Sequence, residues 1–125
     1  MNKKNLIYLS YDGLLDNLGI SQIMPLLLKF KNEYKITLIT FEKKNKLLSS
    51  NFKKYKKILE NNNIIWEYNR YYEKKFIFIN ILKIFYINIR LIFRIINQKK
   101  IIFHLRSYIP FFYIIIPFYL FKINY

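Results

Sequence analysis

LIYLSYDGLLDNLGISQ, Leu6 to Gln22, is the stretch whose reading decides the fold of this 125-residue chain. Its opening run, Leu6 to Ser10, is β-branched and aromatic, with the length of a buried strand rather than a helical turn. A polar loop from Tyr11 to Gly19 follows, punctuated by Gly13 and Gly19, and then an apolar run from Ile23 to Phe30 with helical spacing. Strand, loop and helix make the first half of a βαβ unit. Ligands of open α/β sheets sit just past the carboxyl ends of the strands, so this loop is where function is expected first.

Outward from that stretch the pattern repeats. Tyr34 to Phe41 reads as a second strand, followed by the polar run Glu42 to Lys46. Leu47 to Glu60 reads as an amphipathic helix, its apolar face carried by Leu48, Phe52, Tyr55 and Leu59, and three asparagines end it. Asn63 to Tyr68 is a third strand, Asn69 to Lys75 a polar connection, Phe76 to Gln98 a long helix and Ile101 to Leu105 a fourth strand. Phe111 to Phe121 reads as a further helix, and Lys122 to Tyr125 as the start of a fifth strand. Strands separated by helices predict an α/β fold: a partial Rossmann-like parallel sheet with flanking helices and right-handed crossovers. With strand order 3-2-1-4-5, the fourth strand would lie near an open edge that invites association.

Charge is lopsided, 22 Lys+Arg against 7 Asp+Glu. That balance invites an anionic partner. Against it, Lys, Asn, Ile, Phe and Tyr share A/T-rich codons, so codon bias alone could raise the lysine count. Four of the 22 cations are arginine, although phosphate and base recognition favour arginine's planar fork. No nucleic-acid partner is expected, because no aromatic RNA-binding motif or zinc finger appears. The absence of cysteine excludes disulfides and thiolate metal sites. No apolar h-region with a small-residue cleavage site follows Met1, so no secretory signal is read.

The helix from Phe76 to Gln98 has more apolar surface than a sheet-covering helix needs. At 100° per residue Lys83, Arg90 and Arg94 fall within about 40° of one another. Two readings stand: a core helix covered by further protein, or an interfacial helix whose basic stripe meets anionic headgroups. A transmembrane span is not expected, since charges interrupt this helix and the uncharged run Ser107 to Phe121 carries two prolines and falls short of about 20 residues.

In the first loop, Gly13 and Gly19 do not have the spacing of a dinucleotide fingerprint, so no NAD or FAD cofactor is expected. Glycine there permits positive φ and lets backbone N–H groups approach a phosphate or sugar. Ser21 is placed to cap the following helix, and Pro25 falls in or just after its first turn. A plain βα loop with turn glycines accounts for the same residues. No catalytic triad and no metal-ligand cluster is visible.

The segment YLSYDGLLDNLGISQIMPLLLKF, continuing through ITLITFEK, resembles the N-terminus of the glycosyltransferase group 1 family, retaining enzymes of two-lobed GT-B architecture. One branch carries Y-D-G-x-x-D-P-L-G-x-S-Q, a helix with an early proline, and a strand ending in S-F-E. Tyr11, Asp12, Gly13, Asp16, Leu18, Gly19, Ser21, Gln22, Pro25, Phe41 and Glu42 match, and Asn17 stands where proline is usual. IIFHLRSYIP is similar to the I-I-H-x-R-S-Y-x-P that ends the fourth strand in that branch.

The resemblance implies that residues 1–125 are the first part of the acceptor-side lobe, with the donor-binding C-terminal lobe absent. The family reaction moves a sugar from a nucleotide-sugar donor, a substrate rather than a cofactor, to a glycan or lipid-linked acceptor in polysaccharide biosynthesis. Gly19 would lie near the donor diphosphate, and Asp12, Gly13 and Asp16 would shape the acceptor side. Ser21 and Gln22 belong to the same motif. His104 and Arg106 would face that cleft; many relatives have His-x-His there, and here Arg106 takes the second place. A histidine on an apolar strand is also the ordinary reading of a core residue with its ring hydrogen-bonded. Half a cleft is expected not to turn over. The expected location is cytoplasmic, peripheral at the inner face of the membrane, with Lys83, Arg90 and Arg94 as membrane contacts. The alternative is a non-enzymatic, basic membrane-surface or assembly module.

Overall fold

Residues 3–73, 77–97 and 100–106 are described by a computed structural model. Strands β1 (Lys4–Ser10), β2 (Tyr34–Lys43), β3 (Ile65–Tyr71) and β4 (Ile101–Arg106) form one sheet in the order β3-β2-β1-β4. Every neighbouring pair is parallel. This is the expected α/β class, a partial Rossmann-like sheet flanked by helices.

β1 is almost continuously apolar because both of its faces are covered. Leu6 and Tyr8 pack with Leu14, Ile36 and Leu38 beneath α1 (Met24–Phe30) and α3 (Ser50–Asn61), which contribute Leu27 and Leu59. Ile7 and Leu9, on the alternate face, pack with Ile39 and Phe41 against Ile84, Ile87 and Leu91 of α4 (Ile77–Asn97). Strand order reverses at β1: the chain builds outward to β2 and β3, then returns through α4 to lay β4 on the other side. The carboxyl ends of β1 and β4 therefore flank the switch point where such folds bind ligands.

Local differences from the sequence reading have identifiable causes. β2 and β3 run past Phe41 and Tyr68 because Glu42 pairs with Arg70 and Lys43 with Tyr71 in the ladder, so residues that read as loop stay in the sheet. The helix expected from Leu47 breaks into α2 (Lys44–Leu47) and α3. At the break Ser49 is extended, and its hydroxyl donates to the Lys46 carbonyl at 2.6 Å. Leu48, expected on the core face, is consequently 78% exposed. The asparagines close α3 as foreseen. Asn63 adopts a left-handed conformation, φ 56°, while the amides of Asn63 and Ile64 donate to the carbonyls of Glu60 and Leu59. That is a Schellman ending, with Ile64 and Leu59 both buried in the core. The helix expected over Phe111 to Phe121 and the strand over Lys122 to Tyr125 lie outside the described residues.

α4 buries Asn80, Ile84, Ile87 and Leu91 on one side. On the opposite side Phe78, Leu82, Phe85, Ile89, Phe93 and Ile96 are exposed. These six fall within about 80° of arc, a second apolar stripe. The three cations flank the buried side and make contacts with β3 and the residue after it. Arg90 pairs with Glu67 at 3.4 Å, and Arg94 pairs with the other oxygen of the same carboxylate. Lys83 donates to the Arg70 carbonyl at 3.2 Å and lies over the Tyr72 ring. The reason is angular: at 100° per residue these positions border the buried arc, where a carboxylate on the edge strand is within reach. Among the described residues no helix is long and apolar enough to cross a membrane.

Candidate functional site at the switch point

The two motifs that the sequence analysis singled out meet at the carboxyl ends of β1 and β4. Arg106, the last residue of β4, donates from its guanidinium to the side-chain oxygen of Gln22 at 2.7 Å, across 84 residues of sequence. In the ladder Arg106 stands beside Ser10 and His104 beside Tyr8. The His104 ring is exposed and stacks on Tyr8 with centroids 4.6 Å apart and an 18° interplanar angle, so it is not a core histidine. Burial pushes the Tyr8 hydroxyl above its ordinary 10.0, opposed by the neighbouring Arg106 charge. Among the described residues no carboxylate pairs with Arg106. Ser10 is fully buried, and among the described residues its hydroxyl has no partner.

The glycine loop is built differently from the expectation. Neither glycine has positive φ. Both are required by close approach instead. A Cβ on Gly13 would sit 2.6 Å from Glu42 Oε2 and 3.1 Å from the Phe41 carbonyl, and one on Gly19 would collide with the backbone of Gly13 and Leu14. Two amides of the loop are taken up by the protein itself. Leu14 N–H donates to Glu42 Oε1 at 2.6 Å and Leu15 N–H to Glu42 Oε2 at 3.2 Å. The Thr40 hydroxyl donates to Oε1 at 2.7 Å and itself accepts from Trp66 Nε1 at 2.9 Å. The loop is thus an anion nest, and the protein supplies its own anion from the end of β2.

Burial is the largest influence on Glu42 and raises its carboxyl above the ordinary 4.5; the hydrogen bonds from Thr40, Leu14 and Leu15 oppose it, and Asp16 pushes the same way as burial. The net direction is upward. Asp16 is half-buried and pairs with Lys43 at 3.4 Å, while Asp12 is exposed at the start of the loop.

Past the loop the chain enters a π-helical turn, Gly19–Ile23, that runs directly into α1. The wider turn is closed by Met24 N–H donating to the Gly19 carbonyl, just ahead of Pro25, which has no N–H to offer. Ser21 therefore sits inside a helical turn rather than at a cap, and its exposed hydroxyl donates back to the Leu18 carbonyl at 3.5 Å. The π turn leaves Gln22 exposed on the side that meets Arg106.

Of the residues expected at the site, Gln22, His104 and Arg106 converge at the switch point, with Gly19 opening the turn that carries Gln22. Gly13 and Asp16 line the side of the loop that meets the end of β2. Tyr8, Ser10 and Glu42 were not singled out for a role. Glu42 had a visible signal, a carboxylate closing an apolar strand and matching the S-F-E pattern. Ser10 and Tyr8 had none beyond their place in the first strand. Among the described residues no group of His, Asp or Glu is placed to hold a metal ion. No protein-family model, curated protein or solved structure matches the chain.

Proposed function

We propose that this chain is the acceptor-side lobe of a sugar transferase, serving retaining transfer from a nucleotide sugar to a glycan or lipid-linked acceptor in polysaccharide synthesis. The observation that carries the reading is the Gln22–Arg106 hydrogen bond, which brings both family-like motifs into one crevice at the switch point. Arg106 cannot lose its charge, and its fork suits the phosphate oxygens of a departing diphosphate. Gln22 occupies one edge of that fork and orients the other. Ser10 offers a buried hydroxyl at the same end of β1. On this reading the nucleotide would be held chiefly by a second lobe.

Titration with UDP-glucose, followed by amide shifts in a ¹H–¹⁵N spectrum, tests this reading. Shifts at millimolar ligand should gather at Gly19, Gln22 and Arg106 and vanish in Arg106→Ala. Shifts scattered elsewhere, or none, would sink it.

A second reading is favoured by the exposed stripe Phe78, Leu82, Phe85, Ile89, Phe93 and Ile96 on α4. It makes the lobe a peripheral protein of the cytoplasmic membrane face, docked by apolar contact with the bilayer. Flotation with liposomes should then persist in about 0.5 M salt, where exposed charges are screened within a few ångströms. Loss of flotation at that salt would return the contact to simple basic charge.

A further inference from the structure

A second hollow, of about 800 Å³, opens at the carboxyl ends of β2 and β3 against the start of α4. Its volume is in the range of small-ligand sites. Lys43, Lys44 and Arg70 line it against one carboxylate, Glu73, while Leu48, Ile79 and two tyrosines give it apolar walls. None of these residues belongs to the switch-point crevice.

Three features make this more than a solvated charged surface. First, among the described residues no carboxylate pairs with Lys44 or Arg70, and Lys43 has only Asp16, at 3.4 Å. Second, positive charge gathers about the Tyr72 wall: the Arg70 guanidinium and the Lys83 ammonium lie 4.9 and 4.7 Å from the centroid of that ring. Third, the wall is held in place. Asn80, 2% exposed, accepts from Tyr72 N–H at 2.9 Å and donates to the Tyr72 carbonyl at 2.6 Å, pinning the ring's backbone to α4. A guanidinium fork and two ammonium groups around a cavity much larger than a carboxylate suit a phosphate ester with an apolar or sugar body.

We infer that this hollow is a binding site for a phosphate-bearing ligand, separate from the crevice at Arg106. The inference stands independently of the sugar-transfer reading.

The test uses the whole chain with two probes, inorganic pyrophosphate followed by calorimetry and phosphatidylglycerol vesicles followed by sedimentation. Lys44→Ala/Arg70→Ala should weaken binding of at least one probe by about tenfold or more, as expected for loss of charge-assisted contacts. The charge-matched control Lys53→Ala/Lys57→Ala, on exposed positions of α3, should change it less than about twofold. In an Arg106→Ala background, where the switch point no longer contributes, Lys44→Ala/Arg70→Ala should still weaken binding by the same factor, which separates this site from the crevice. Dependence seen with pyrophosphate identifies a soluble ester, and dependence seen only with vesicles a lipid headgroup. Circular dichroism checks that each variant is folded. Equal weakening by the two lysine-containing pairs, or no saturable binding of either probe, overturns the inference.

Discussion

Glu42→Ala is expected to lower the unfolding free energy by on the order of 4 kcal/mol. The carboxylate is fully buried and satisfies Leu14 N–H, Leu15 N–H and the Thr40 hydroxyl together. Alanine would leave these donors without a partner in a water-poor site, each costing about 1–3 kcal/mol before relaxation. Urea unfolding followed by the fluorescence of Trp66 measures the loss, and the probe is apt because its indole N–H donates into the same network. A loss below about 1 kcal/mol would mean that the loop amides have other partners.

The same residue carries a pH dependence whose sign follows from the upward shift. Folded Glu42 holds its proton to higher pH than the unfolded chain does, so between the ordinary 4.5 and the folded value the native state binds more protons. Its contribution to stability is complete below 4.5 and is lost as pH rises through the folded value. In Glu42→Gln that downward component should be missing when unfolding midpoints are compared across the window above pH 4.5. Parallel pH profiles for the two proteins would contradict it.

Gly19→Ala is expected to cost roughly 3 kcal/mol, at the upper end of overpacking penalties. The added methyl would run into the carbonyls of Gly13 and Leu14, backbone atoms that cannot swing aside as a side chain can. Relief requires displacing the π turn, and with it Gln22, so Arg106 would lose its partner as well. Gly13→Ala is the informative comparison, because its nearest obstacle is the Glu42 carboxylate at 2.6 Å. In a Glu42→Ala background that obstacle is gone, and the two substitutions should be markedly non-additive. Thermal or urea unfolding of the four proteins measures this. A Gly19→Ala protein within about 1 kcal/mol of the parent would show that the loop does not pack against itself in this way.

Most of the architecture was legible along the chain. The apolar run from Leu6 to Leu9, the alternation through Tyr34 to Phe41 and the asparagine stop after α3 are local signals, and each fixes its own element. Errors fell where a neighbour overrides local composition. Glu42, Asn69 and Arg70 look like loop residues and are strand because the partner strand continues beside them. Leu48 matches a helical period and is exposed because Ser49 breaks the helix. Ser21 looks like a cap and lies within a turn widened ahead of Pro25.

The site divides along the same line. The strand-loop-helix pattern pointed to the loop and the family resemblance to the end of the fourth strand, and a parallel sheet places such segments at one edge whatever the details. Which groups meet there was decided by tertiary structure alone. Whether the loop amides face a ligand or Glu42, whether Arg90 and Arg94 face solvent or Glu67, and whether Arg106 finds Gln22 all depend on contacts across tens of residues. Strand register and helix rotation set those contacts, and a shift of one residue turns every side chain of a strand to the other face. The sequence of this protein determines the alternation of strand and helix through short-range periodicity. Its buried anion, its paired cations and its open arginine follow from the register in which those elements pack.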